Sequence, residues 1–104
     1  MTTELIREIE KIAEHYGYES QSRQLVEEMA ELTVALNKKW RLEQTGNANN
    51  PLLSAPCMAN LVEEIADVEI MLMQVKYLLG CNRVVESAKA EKISRQTERM
   101  AKGE

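Results

Sequence analysis

A chain of 104 residues, 44% hydrophobic and 29% charged, has the size and composition of one globular domain with its own core. Its net charge of −4 argues against general nucleic-acid binding, which needs a basic face. No apolar run approaches the ~20 residues that span a bilayer, and residues 1–8 are charged from the start, without the apolar stretch of a signal peptide. No membrane contact and a cytoplasmic location are the expectations.

Helical periodicity dominates the chain and no strand pattern competes with it. The first helix is expected from Thr3, as N-cap, to about Tyr16, with Leu5, Ile9, Ile12 and Ala13 inward and Gly17 ending it. The second should begin near Ser20 or Ser22 and continue to about Gln44. Gly46 to Pro56, rich in Asn, Gly and Pro, reads as a loop insertion within about residues 45–57. The third helix is expected over roughly Met58–Leu79, stopped by Gly80, and the fourth from an Asn82 cap to about Met100. The fold class is therefore all-α: a single domain over 1–104, a four-helix chain whose central pair forms an antiparallel hairpin.

The central helices carry the chemistry. Leu25-Val26-Glu27-Glu28-Met29-Ala30-Glu31-Leu32 returns as Leu61-Val62-Glu63-Glu64-Ile65-Ala66-Asp67-Val68, with only conservative differences. On a 100° wheel, Leu25, Met29, Leu32 and Leu36 share one face, with Glu28 at its edge and Glu31 and Glu27 beyond. Leu61, Ile65, Val68 and Leu72 repeat the pattern beside Glu64, Asp67 and Glu63. Glu28/Glu31 and Glu64/Asp67 are spaced i, i+3, so each pair projects together. One such acidic strip is commonly a solvated face. Two matched strips at the edge of a core are different, because buried carboxylates without partners are costly or protonate. A hard, oxygen-seeking cation such as Mg²⁺ resolves the repulsion.

The remaining chemistry-bearing residues are few. His15 is the only histidine and no ExxH motif accompanies the acids, which argues against a ferritin-like di-iron bundle and leaves His15 as a surface or capping residue. Cys57 and Cys81 lack CxxC spacing and read as reduced thiols. Charge is unevenly distributed: from Gly80 onward the chain carries +2, and the first 79 residues carry −6. The third helix is apolar nearly all round, through Ile70, Met71, Met73, Val75 and Leu78, which calls for burial against another subunit.

At these residues the chain resembles the MazG-like nucleotide pyrophosphohydrolases of the all-α NTP pyrophosphatase superfamily. That family's EExxE and ExxD motifs are matched by Glu27-Glu28-Met29-Ala30-Glu31 and Glu64-Ile65-Ala66-Asp67. Lys92-Ile93-Ser94-Arg95-Gln96-Thr97-Glu98-Arg99 resembles its C-terminal basic motif, with Gln96 where Asn is frequent. The resemblance covers roughly residues 10–100. The 32 residues between Glu31 and Glu64 are more than the family usually shows, and place the loop either over the base pocket or at an assembly contact.

The resemblance implies Mg²⁺, with Mn²⁺ as an alternative, held by Glu28, Glu31, Glu64 and Asp67 and gripping a nucleoside triphosphate. Glu27 and Glu63 would be catalytic, as outer ligands or aids to water activation. Hydrolysis between the α- and β-phosphates would release a nucleoside monophosphate and pyrophosphate. Lys92, Arg95 and Arg99, with Lys89 and Lys39 behind them, would stabilise the leaving pyrophosphate, their plain alternative being helix-surface charge. Trp40 would stack on a base or serve as a core or interface residue. The implied assembly is a homodimer or dimer of dimers that completes the bundle. The competing reading is a catalytically weak nucleotide-binding or helical interaction module of the same fold.

Overall fold

The structure, a computed structural model, describes residues 1–104 and is all-helical: α1 over Thr3–Gln44, α2 over Pro51–Leu79 and α3 over Asn82–Ala101. Three helices replace the expected four because nothing separates the first two beyond a single residue. Gly17 takes φ 85 and ψ 167, a non-helical geometry open to glycine, and the helix resumes at once. The break lets residues 3–16 turn back onto α2, where Ile9 and Ala13 are buried and Glu14 accepts a hydrogen bond from Tyr77.

The termini correct several boundaries. Thr2, not Thr3, is the first N-cap, its hydroxyl accepting from Leu5 N–H. Much of the expected loop is helix: Asn50 caps α2 by accepting from Leu52 N–H, and Pro51 occupies the first turn. Proline there loses nothing, since that N–H would be unpaired anyway. Gly80, left-handed at φ 65, closes α2 as expected, with Gly80 N–H donating to Tyr77 and Cys81 N–H to Lys76. Asn82 is the first residue of α3 and does not cap it; Cys81 stands at that position without a side-chain bond.

α1 and α2 form the expected antiparallel hairpin, but its seam is not the face read from the wheel. Between Leu25 and Leu42, every residue that is not exposed falls on alternating steps of three and four: Leu25, Glu28, Leu32, Ala35, Lys39, Leu42. Between Ser54 and Met71 the same holds for Ser54, Cys57, Leu61, Glu64, Val68 and Met71. This is the narrow 3.5-residue seam of two paired helices. Met29, Leu36, Ile65 and Leu72, expected inward, are each at least 40% exposed, as are Leu5 and Ile12. Two helices alone cannot cover a wide apolar face, so the flank of each stripe stays open.

Register is pinned by a buried amide pair, Gln21 Nε2 donating to Gln74 Oε1 at 2.7 Å. Leaving either amide unpaired would cost about 1–3 kcal/mol, whereas a hydrogen-bonded pair is nearly neutral, so the pair specifies alignment more than it stabilises. The octet repeat is offset by 36 residues, and that offset carries Leu25 to Leu61, Glu28 to Glu64, Leu32 to Val68 and Ala35 to Met71. Each member lies in the seam. The hairpin therefore has a local two-fold axis, perpendicular to the plane of its helices, through the centre of the octets.

The two-fold gives the hairpin two unlike faces. Residues one step after a seam position lie about 100° to one side: Met29, Leu36, Ile65 and Leu72, continued by exposed Val26, Val62 and Trp40. Residues one step before Leu32 and Val68 lie to the other side, and these are Glu31 and Asp67. One face is apolar and the other acidic.

α3 buries none of its residues. The whole chain exposes 8023 Å², against roughly 6,000 Å² for a compact monomer of this mass. Its radius of gyration is 17.5 Å, where a compact chain of this length would have about 13 Å. No helix is long and apolar enough to cross a membrane.

Candidate metal centre

Seven residues along from the Gln21–Gln74 pair, the register sets Glu28 opposite Asp67, and three further along it sets Glu31 opposite Glu64. Each i, i+3 pair thus meets the other, reversed, across the seam. Carboxylate oxygens of Glu28, Glu64 and Asp67 lie within 4.8 Å of one another. Glu28 and Glu64 are half-buried among Leu25, Leu32, Leu61 and Val68, while Glu31 and Asp67 open onto solvent.

Hydrogen bonding does not satisfy this arrangement. Gln24 Nε2 donates to Glu28 Oε1 at 2.8 Å, but Glu28 Oε2 and Glu64 Oε2 are both buried and unpartnered. The charges of Glu28 and then Glu64, with partial loss of water, raise Glu31 above the usual carboxylate range. Two orphaned carboxylate oxygens on neighbouring acids, flanked by two further acids, fit a hard cation with oxygen ligands and open positions. The donor set contains no nitrogen or sulfur, which disfavours zinc and copper.

An open groove of about 310 Å³ borders the acids, lined by Ala30, Glu31, Val34, Lys38, Asn60 and Glu64. It shares Lys38 and Asn60 with a larger one, of about 460 Å³, that runs toward the connection between α1 and α2. Lys38 and Asn60 were not singled out from the sequence. Neither belongs to a motif; helical spacing sets Asn60 on the face of Glu64 and Lys38 on the face of Glu31, and register brings the two into one groove.

The other candidate residues are placed as follows. Glu27 and Glu63 are two-fold equivalents, exposed and outside the close acidic group. Lys39 turns into the seam and donates to Glu43, which raises its pKa. Trp40 is 59% exposed, so it is no part of this chain's core. Lys92, Arg95 and Arg99, with Gln96, surround a polar cleft of about 290 Å³ on α3. Lys89 pairs with Glu86 at 3.1 Å. No basic residue of α3 lines either groove beside the acids. His15 is exposed and stacks edge-on with Tyr16, and both cysteines are free thiols, as expected.

No protein-family model, curated protein or solved structure matches this chain.

Proposed function

We propose that the protein is a divalent-metal-dependent nucleoside triphosphate pyrophosphohydrolase of MazG-like type, cleaving the α–β phosphate bond. The observation that carries this reading is the pair of buried, unpartnered oxygens on Glu28 and Glu64, within reach of Asp67 and beside Glu31. Buried like charges are retained at a cost unless a cation is meant to lie among them.

Glu28, Glu31, Glu64 and Asp67 would hold the ion, Mg²⁺ or Mn²⁺. When bound, such an ion neutralises phosphate oxygens and lowers the pKa of water, supplying a nucleophile at neutral pH. Glu27 and Glu63, exposed and next in sequence to Glu28 and Glu64, would accept the proton of the attacking water. Lys38, at the junction of the two grooves and the one cation lining the groove beside Glu31 and Glu64, would offer charge to the phosphate chain.

We also propose a homo-oligomer. The excess exposed area, about 2,000 Å² per chain and so about 4,000 Å² per pair, is in the range that obligate interfaces bury, and the apolar face is two-fold symmetric within one chain. A self-complementary patch of that kind suits isologous pairing. Assembly would cover Met29, Leu36, Ile65 and Leu72 and could bring Lys92, Arg95 and Arg99 of α3 to the acids of a neighbouring copy.

The test is pyrophosphate release from mixed NTPs and dNTPs with Mg²⁺. Glu64→Gln should reduce the rate at least about 100-fold. No release from any nucleotide, or full activity in the variant, would instead favour a helical interaction module.

A further inference from the structure

The local two-fold makes the acidic centre symmetric, but its two ends are finished differently. The offset of 36 residues relates Lys38 to Gln74, Arg41 to Tyr77, and Asn60 to Gln24. At one end every member of this set is engaged. Gln74 accepts from Gln21, Gln24 donates to Glu28, and Tyr77 donates to Glu14 on the folded-back segment of α1.

At the other end none is. Lys38, Arg41 and Asn60 make no side-chain hydrogen bond, and they line the groove that runs from Glu31 and Glu64 to the connection of the hairpin. Beyond Lys38 the lining is mixed, with Leu42, Leu53, Pro56 and Cys57 interleaved with Arg41, Thr45 and Asn60. A volume of about 460 Å³ is within the range of small-ligand sites. Apolar side chains interleaved with polar ones suit a planar heterocycle better than a phosphate chain. Backbone acceptors here are already occupied: Arg41 C=O takes Thr45 N–H and hydroxyl, and Leu42 C=O takes Asn47 N–H. Lys38 and Arg41 are donors only, and Asn60 can donate or accept.

We propose that this groove is the nucleoside subsite, and that Arg41, a donor only, favours bases presenting a carbonyl oxygen to it, as in guanine, uracil or thymine, over adenine and cytosine with an amino group at that position. The inference rests on the nucleotide reading above. The engaged end fixes the direction: the triphosphate lies over the acids and the base toward Arg41.

The experiment is calorimetric binding of non-hydrolysable α,β-methylene nucleotides in Mn²⁺, with inorganic tripolyphosphate as a probe lacking a base. The intact protein should bind carbonyl-bearing bases about tenfold more tightly, the worth of one 1.4 kcal/mol contact. Arg41→Ala and Arg41→Met should bring that preference to within twofold and leave tripolyphosphate and Mn²⁺ binding unchanged, since Arg41 lies outside the groove beside the acids. Loss of tripolyphosphate affinity in parallel would make the groove a phosphate channel and overturn the proposal. So would an unaltered preference in both variants, or none in the intact protein. Mn²⁺ binding without any nucleotide binding would refute the subsite and the substrate together while leaving the metal centre standing. Absence of Mn²⁺ binding would instead remove the metal reading itself.

Discussion

Without metal, Glu64→Gln should make the protein more stable, although it alters a half-buried residue in the seam. The carboxylates of Glu28 and Glu64 approach within 4.8 Å. Two unit charges at that separation repel by about 3.5 kcal/mol at an effective dielectric of 20 and about 0.9 kcal/mol in bulk water. Both side chains are half-buried, so relief of about 1–3 kcal/mol is expected. The new amide also offers Glu28 Oε2 a donor that it lacks. For a chain of this length, 1 kcal/mol moves the melting temperature by about 4–8 °C, so Tm should rise by at least about 5 °C in chelator. Saturating Mg²⁺ reverses the comparison. At 100 times its dissociation constant a ligand stabilises the folded state by about 2.7 kcal/mol, and the variant should lose most of that gain. The assay is thermal denaturation of both proteins at matched concentration, in chelator and in millimolar Mg²⁺. Equal or lower stability of the variant in chelator would refute the idea that these carboxylates repel. An undiminished Mg²⁺ response would refute their role as ligands.

Two further outcomes follow from the same geometry. Glu31 is raised in the folded state from an ordinary value of 4.5, so folding takes up a proton between that value and the raised one. Metal-free stability contributed by this group is full below pH 4.5 and declines as pH rises through the folded pKa. Subtracting the pH profile of Glu31→Gln from that of the intact protein should isolate this slope, and millimolar Mg²⁺ should abolish it. A difference that grows with pH would contradict the assignment. For assembly, Leu36→Asp with Leu72→Asp charges two-fold-equivalent positions on the apolar face. Sedimentation should show an oligomer for the intact chain and a monomer for the double variant, with helicity retained in circular dichroism. A monomeric intact chain at micromolar concentration would exclude the proposed interface.

Much of the fold could be read locally. Gly17 and Gly80 punctuate helices because only a residue without Cβ takes their backbone angles freely. The Pro51 boundary was misread because Asn-Pro within an Asn-rich stretch suggests a loop, while the same dipeptide is also an N-cap followed by a first-turn proline. The seam was misread for a different reason. A wheel ranks residues by hydrophobicity and so drew Met29 and Leu36 inward and left Glu28 at the edge. The paired helices bury a narrower stripe, which takes in Glu28 and Ala35.

By itself the sequence determined that the chain is helical, where its segments stop, and that four acids recur at i, i+3 spacing on two of them. Those properties depend on propensity, punctuation and spacing within a dozen residues. Only the tertiary structure decided that Glu28 meets Asp67 and Glu31 meets Glu64, that two of the eight carboxylate oxygens are buried without partners, and that Lys38 of one helix and Asn60 of the other share one groove beside them. These depend on the relative register of two helices. A shift of one turn would leave each helix locally unchanged, but it would break the Gln21–Gln74 pair and separate the acids.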